Sequence, residues 1–187
     1  MWNLLQSILS HWYFVLSVFF GRRCLVVSVK KQTMFFLCGY RILRTFVIST
    51  GKNGTGEVVD SGKTPRGWFW IDEKIGDGAS IDTVFKARQP IGLYRACEHK
   101  DDPILTRIMW LKGLQTHNKI TKSRYIYIHG TPKHQSFGER PMSEGCVRML
   151  DTDCLELFNQ IELKTLVYIC DEDNRLAWQY PFLLNLF

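Results

Sequence analysis

No Cys-x-x-Cys pair occurs in this chain, and its six cysteines show none of the spacings that hold structural zinc. A disulfide framework is not expected either, because 187 residues with 45% apolar and 13% aromatic side chains suffice for an ordinary core. That composition also excludes disorder. The net charge is +6, yet no run of five or more Lys and Arg occurs. An anionic partner is therefore expected. A nucleic-acid reader would instead gather its cations on one helix or beside stacking aromatics, so no nucleic-acid partner is expected. Also missing are an internal repeat and a phosphate-binding loop. Gly62-Lys63-Thr64 lacks a glycine at position 57, which is Glu, and Pro65 stands where the phosphate-binding helix would begin.

The first segment lacks the positive leader of a secretory signal, since no charged side chain precedes the apolar run Leu4–Phe20. That run of 17 residues is shorter than the roughly 20 needed to span a bilayer. Asn3, Gln6, Ser7, Ser10, His11 and Ser17 recur at near-helical spacing, so residues 1–24 read as an amphipathic or anchor-like helix. Residues 1–23 would dock on the domain, lie at a membrane surface, or serve as an uncut signal or anchor. Arg22-Arg23 follow the run, on the wrong side for an exported domain.

From residue 25 the pattern changes to short runs rich in β-branched and aromatic residues. Strands are expected at Leu25–Val29, Thr33–Leu37, Ile42–Thr50, Thr64–Ile71, Thr83–Ala87, Leu105–Leu111, Arg124–His129 and Thr165–Ile169. The one clear internal helix is Asp151–Ile161, with Asp151 or Asp153 as N-cap and Glu156 closing a capping box on Asp153. Many strands and one helix predict a mostly β, sandwich- or barrel-like domain over residues 25–170. The tail 171–187 is apolar enough to require burial on the domain, a partner or a membrane.

The chemistry concentrates in Tyr125-Ile-Tyr-Ile-His129-Gly130-Thr131 and Pro141-Met-Ser143-Glu144-Gly145-Cys146-Val-Arg148. Cysteine is the most nucleophilic side chain at neutral pH, and a nearby imidazole is the usual means of making it a thiolate. Gly145, just before it, removes the side chain where a substrate carbonyl and its oxyanion donors come close. Strand alternation puts Tyr125, Tyr127 and His129 on one face and Ile126 and Ile128 on the other. If residues 145–148 are extended, Cys146 and Arg148 share a face, where the guanidinium favours the thiolate or grips a substrate carboxylate.

Ile128-His129-Gly130-Thr131 and Ser143-Glu144-Gly145-Cys146-Val147-Arg148-Met149 resemble the active-site signature of the L,D-transpeptidase (YkuD-like) family. The resemblance extends through Ser49-Thr-Gly51-Lys52, Ser61-Gly-Lys-Thr-Pro65-Arg-Gly67, Lys74-Ile-Gly76 and Leu105–Leu111, covering roughly residues 25–170. It implies a β-rich, cofactor-free and metal-free enzyme that cleaves the diaminopimelate–D-alanine bond of a peptidoglycan tetrapeptide stem. The acyl group would pass through a thioester on cysteine to another stem's amine, or to water.

On this resemblance Cys146 is the nucleophile and His129 the general base, with the Gly130 carbonyl orienting the imidazole. Backbone N–H groups at Gly145 and Cys146 form the oxyanion hole, and Arg148 and Ser143 belong to the substrate site. Peptidoglycan stem peptides are the implied partner, and the cell envelope or periplasm the implied location. The family's usual Ser/Thr-His-Gly-Cys is here Ser143-Glu144-Gly145-Cys146. A carboxylate at Glu144 raises the thiol pKa unless it turns away or pairs with Arg148. That departure leaves a catalytically silent wall-binding module as the alternative to the transpeptidase, with an L,D-carboxypeptidase-type hydrolase as a near variant. Oligomeric state is not legible.

Overall fold

The computed structural model describes residues 22–39, 41–95, 103–132 and 137–171. The expected N-terminal helix and C-terminal tail lie outside the described residues, apart from Arg22–Cys24 and Asp171. The described chain is mostly β, with ten strands and one α-helix. In order the strands are β1 (Arg23–Ser28), β2 (Thr33–Cys38), β3 (Arg41–Ser49), β4 (Gly67–Ile75) and β5 (Thr83–Lys86). Then come β6 (Gln89–Leu93), β7 (Ile104–Gly113), β8 (Tyr127–Thr131), β9 (Val147–Leu150), α1 (Asp151–Gln160) and β10 (Leu166–Cys170). Among the described residues no helix is long and apolar enough to cross a membrane.

Eight strands pair in the order β4-β10-β1-β2-β3-β9-β8-β7, and a further β7–β4 pairing closes the ring. Closure satisfies backbone groups that an open edge would leave to solvent. The β5–β6 hairpin hangs from β7. Among the described strands the β1–β10 and β8–β9 pairs are parallel and the rest antiparallel.

Alternation along the strands explains which residues go inside. Leu25, Val27, Met34, Phe36, Phe46, Ile48, Phe69 and Ile71 join Met109, Leu111, Ile128, Val147 and Met149 in one buried cluster, which Cys154, Leu157 and Phe158 of α1 complete. Each fully buried Leu, Ile or Phe contributes about 1.5–3 kcal/mol relative to exposure. The intervening residues of β1, β2, β4 and β10 form a second cluster with Cys24, Val26, Phe35, Trp68 and Tyr168. Both faces of β1 are thus buried, which is why it reads as a continuous apolar run. A third cluster, Phe85, Ile108, Trp110 and Tyr127, covers the outer face of β7 and β8, and Cys146 packs against it.

Two local expectations are corrected. The run Arg124–His129 becomes strand only at Tyr127, because Tyr125 takes a left-handed φ of 57° that ends the extended backbone. Helix α1 is capped by Leu150 with no side-chain cap, so the expected capping box does not form. Asp151 accepts a hydrogen bond from the Thr152 N–H at 2.7 Å, and Glu156 pairs with Arg44 at 3.1 Å.

Candidate active site

The parallel pairing of β8 and β9 sets Ile128 opposite Val147 and His129 opposite Arg148. Ile128, Val147 and Met149 all face the main core. By alternation Tyr127 and His129 lie on the other face of β8 and Arg148 on the other face of β9, and Cys146 packs against the cluster that contains Tyr127. Cys146 immediately precedes β9, beside Tyr127. The Tyr127 N–H donates to Cys146 Sγ at 3.4 Å, and the thiol donates to the Tyr125 carbonyl at 3.5 Å.

His129 is buried, with Nδ1 2.8 Å from the carbonyl oxygen of Gly130. That contact is a hydrogen bond only if Nδ1 carries the proton, so the basic lone pair falls on Nε2. The adjoining strand explains the glycine. Opposite His129 and Gly130, β7 carries an irregularity between Leu105 and Ile108, and Thr106 there has a φ of 68°. A Cβ at residue 130 would lie 2.7 Å from Thr106 Oγ1 and 2.9 Å from the Leu105 carbonyl oxygen. Only glycine fits between strand and bulge, and bulges of this kind commonly re-aim side chains at sites.

The turn before Cys146 is fastened from several directions. Ser143 Oγ, buried, accepts the Gly145 N–H at 3.1 Å and donates to the Cys146 carbonyl at 2.6 Å. The Ser143 N–H donates to the Thr50 carbonyl, and the Lys52 N–H donates to the Ser143 carbonyl, each at 2.8 Å. Thr64 Oγ1 donates to the Gly145 carbonyl at 3.0 Å and accepts the Gly51 N–H at 2.8 Å. Gly145 has a φ of 114°, and a Cβ there would press on the Lys63 carbonyl at 3.0 Å. The Gly145 N–H, expected as an oxyanion donor, is engaged by the serine hydroxyl.

Together Lys52, Ile104, His129, Met142, Ser143, Glu144 and Cys146 line a cleft of about 520 Å³. Cys146 is half-buried there, whereas Cys24 and Cys154 are fully buried. Burial, with a smaller effect of Cys38, pushes the Cys24 thiol up to about 12, and burial also raises that of Cys154. Cys146 is the one cysteine among the described residues that lines the cleft. Glu144 points outward, its side chain 85% exposed and its carboxylate 3.5 Å from Lys52 Nζ. Arg148 does not line the cleft. It is buried beside it, with the guanidinium 6.0 Å from the centre of the Phe137 ring. No group of three or more His, Cys, Asp or Glu suited to a metal occurs among the described residues.

Sequence reasoning missed several contributors. Trp110 stacks on Tyr125 and meets Tyr127 edge-on at centroid distances of 5.8 and 5.6 Å, and Arg88 covers Trp110 at 4.6 Å. This aromatic group backs the main-chain segment that holds the thiol. Arg124 binds the carbonyls of Gly56 and Lys63 at 3.0 and 2.6 Å, securing the loop beneath Gly145. Burial lowers its guanidinium pKa, while Glu57, Cys146 and Asp60 act against that shift. The ties made by Thr64 and Gln32 are likewise not legible in the sequence. Gln32 bonds the Thr50 N–H and hydroxyl, each at 2.8 Å. A buried amide and hydroxyls amid apolar strands are the only sequence signal for such ties.

The family model described as the YkuD L,D-transpeptidase catalytic domain matches residues 22–169. Among solved structures, an L,D-transpeptidase from Xylanimonas cellulosilytica is 19% identical, with 79% of this chain and 60% of that chain covered and a TM-score of 0.52. An L,D-transpeptidase from Mycobacterium smegmatis is 14% identical, covered over 79% of this chain and 58% of its own, with a TM-score of 0.53. The catalytic domain of an E. faecium L,D-transpeptidase is 19% identical, with coverages of 80% and 98% and a TM-score of 0.50. These identities speak for the fold. The chain spans about 60% of the length of the first two. No curated protein matches it.

Proposed function

The chain belongs to the L,D-transpeptidase catalytic domain family, and from that premise we propose that it transfers acyl groups of peptidoglycan stem peptides through a thioester on Cys146. The observation that carries this reading is the shared cleft of Cys146 and His129, with His129 Nε2 kept basic by the Gly130 carbonyl. In this reading Nε2 takes the thiol proton and the thiolate adds to the stem carbonyl before D-alanine. The oxyanion is met by backbone N–H groups, among them Tyr127, whose N–H already faces the sulfur. Collapse of the adduct returns the proton through His129 to the D-alanine amine, which leaves. The same imidazole then deprotonates the incoming amine or water, and the thioester is resolved. Such a substrate places the enzyme on the extracytoplasmic side of the membrane.

The test is incubation of the purified protein with tetrapeptide stems, read by mass spectrometry. An acyl adduct and release of D-alanine are expected. Cys146→Ala should abolish both, and His129→Ala should slow turnover by at least roughly a hundredfold. Neither adduct nor release, under conditions where another family member is active, would end this reading.

A further inference from the structure

We infer that Lys52 is the carboxylate-recognising residue of the cleft and that Glu144 occupies its ammonium until substrate arrives. The inference rests on the acyl-transfer reading for the identity of the substrate, but not for the existence of the anion site. Of the described residues lining the cleft, Ile104 and Met142 are apolar, and the Ser143 hydroxyl is engaged on both sides by the nucleophile turn. His129 presents a nitrogen needed for proton transfer. Formal charge in the lining comes from Lys52 and Glu144.

Their placement suits exchange. The Lys52 backbone is pinned, because its N–H bonds the Ser143 carbonyl at 2.8 Å beside the Gly51–Ser143 bridge. Its Cα is therefore held three bridging residues from the thiol by the same turn that positions Cys146. Its side chain is 55% exposed and Glu144 is 85% exposed, with 3.5 Å between nitrogen and oxygen. An ion pair so exposed contributes little, so an incoming carboxylate displaces Glu144 at small expense, leaving the charge balance at Lys52 unchanged. The ammonium at the cleft wall is a single point charge with three donors on a flexible four-carbon stem, which suits a carboxylate arriving at varied angles. The free carboxylates of a tetrapeptide stem that flank the scissile bond are those of the diaminopimelate side chain and the terminal D-alanine. Either would be matched by this cation.

Alkylation of Cys146 tests the anion site without requiring turnover. Iodoacetate and iodoacetamide react alike, the thiolate displacing iodide to form a thioether, but only the first is an anion. Peptide mapping reads the rate at Cys146 for both reagents. The iodoacetate-to-iodoacetamide ratio should fall about two- to fivefold in Lys52→Gln, the range an exposed pair supplies. It should hold in Lys52→Arg and rise in Glu144→Gln. An unchanged ratio in Lys52→Gln overturns the proposal. Because ordinary thiols also alkylate, the ratio is measurable even if Cys146 is not activated.

Stems amidated at one carboxylate or the other then identify the source. The parent protein should discriminate against one amidated stem in kcat/KM, and Lys52→Gln should lose that discrimination. If Lys52→Gln keeps the parent's discrimination against both amidated stems, the substrate role of Lys52 is refuted. If the alkylation ratio moves but no stem turns over in any variant, the acyl-transfer reading fails while the anion site stands.

Discussion

Removing one oxygen from the turn before Cys146 tests whether that turn is built as described. Ser143 is 1% exposed, and its hydroxyl satisfies the Gly145 N–H at 3.1 Å and the Cys146 carbonyl at 2.6 Å. Ser143→Ala leaves a buried donor and a buried acceptor, each costing about 1–3 kcal/mol when unmet. The carbonyl of half-buried Cys146 can be reached by water from the cleft, so its share lies at the low end. The Gly145 N–H, on a buried glycine, bears the larger share. A net loss of about 2–3 kcal/mol follows. With a urea dependence of about 2 kcal/mol per molar, the unfolding midpoint should drop by roughly 1–1.5 M. Equilibrium unfolding followed by fluorescence at neutral pH measures this. A loss below about 0.5 kcal/mol, with a raised KM, would refute the reasoning and return Ser143 to the substrate contact expected from its sequence position.

Gly130→Ala should destabilise by about 1–3 kcal/mol, since its Cβ would meet Thr106 Oγ1 at 2.7 Å and strand backbone at 2.9 Å. A thermal melt reads the loss, and turnover should fall with it because the strain falls beside His129; an unchanged melt would contradict the packing. Asp72 accepts hydrogen bonds from Lys122 and Lys164, which hold its carboxyl down at about 2. Because the folded value is depressed, its stabilisation is complete above the unfolded value near 4 and is lost as pH falls through about 2. Asp72→Asn should therefore weaken the protein at pH 7 by on the order of 1 kcal/mol after solvent screening, and the difference should vanish near pH 2 in urea titrations.

Strands with apolar runs were legible because burial writes them directly. Leu25–Val29, Thr33–Leu37 and Thr165–Ile169 each fall on a strand of the closed ring. β6, with Pro90 and Gly92 and every residue exposed, carries no such mark. The left-handed Tyr125 escaped notice because nothing in a bulky aromatic announces that conformation. At the site, His129 and Cys146 could be singled out by their chemistry. What joins them could not. The parallel register of β8 with β9 and the ties of Thr64, Thr50 and Ser143 are long-range facts with no local signature. Glu144 shows the same boundary. Its proximity to the thiol was evident in sequence, whereas its outward turn toward Lys52 depends on the left-handed Gly145 and the loop beneath it.

His129 and Cys146 stand on supports of unequal stiffness. His129 lies within a strand flanked on both sides by partners in the ring, its neighbour Ile128 seated in the main core. Cys146 lies before its strand begins, on a turn held by side-chain and loop hydrogen bonds. In hydrogen exchange the Ile128–Gly130 amides should therefore open only with the whole domain, while those of Glu144 and Gly145 open through local excursions. In the proposed acyl transfer, the imidazole is a fixed landmark and the sulfur the adjustable partner. Any accommodation of a bulkier acyl group then falls to the turn that carries the thiol, with the imidazole holding its place.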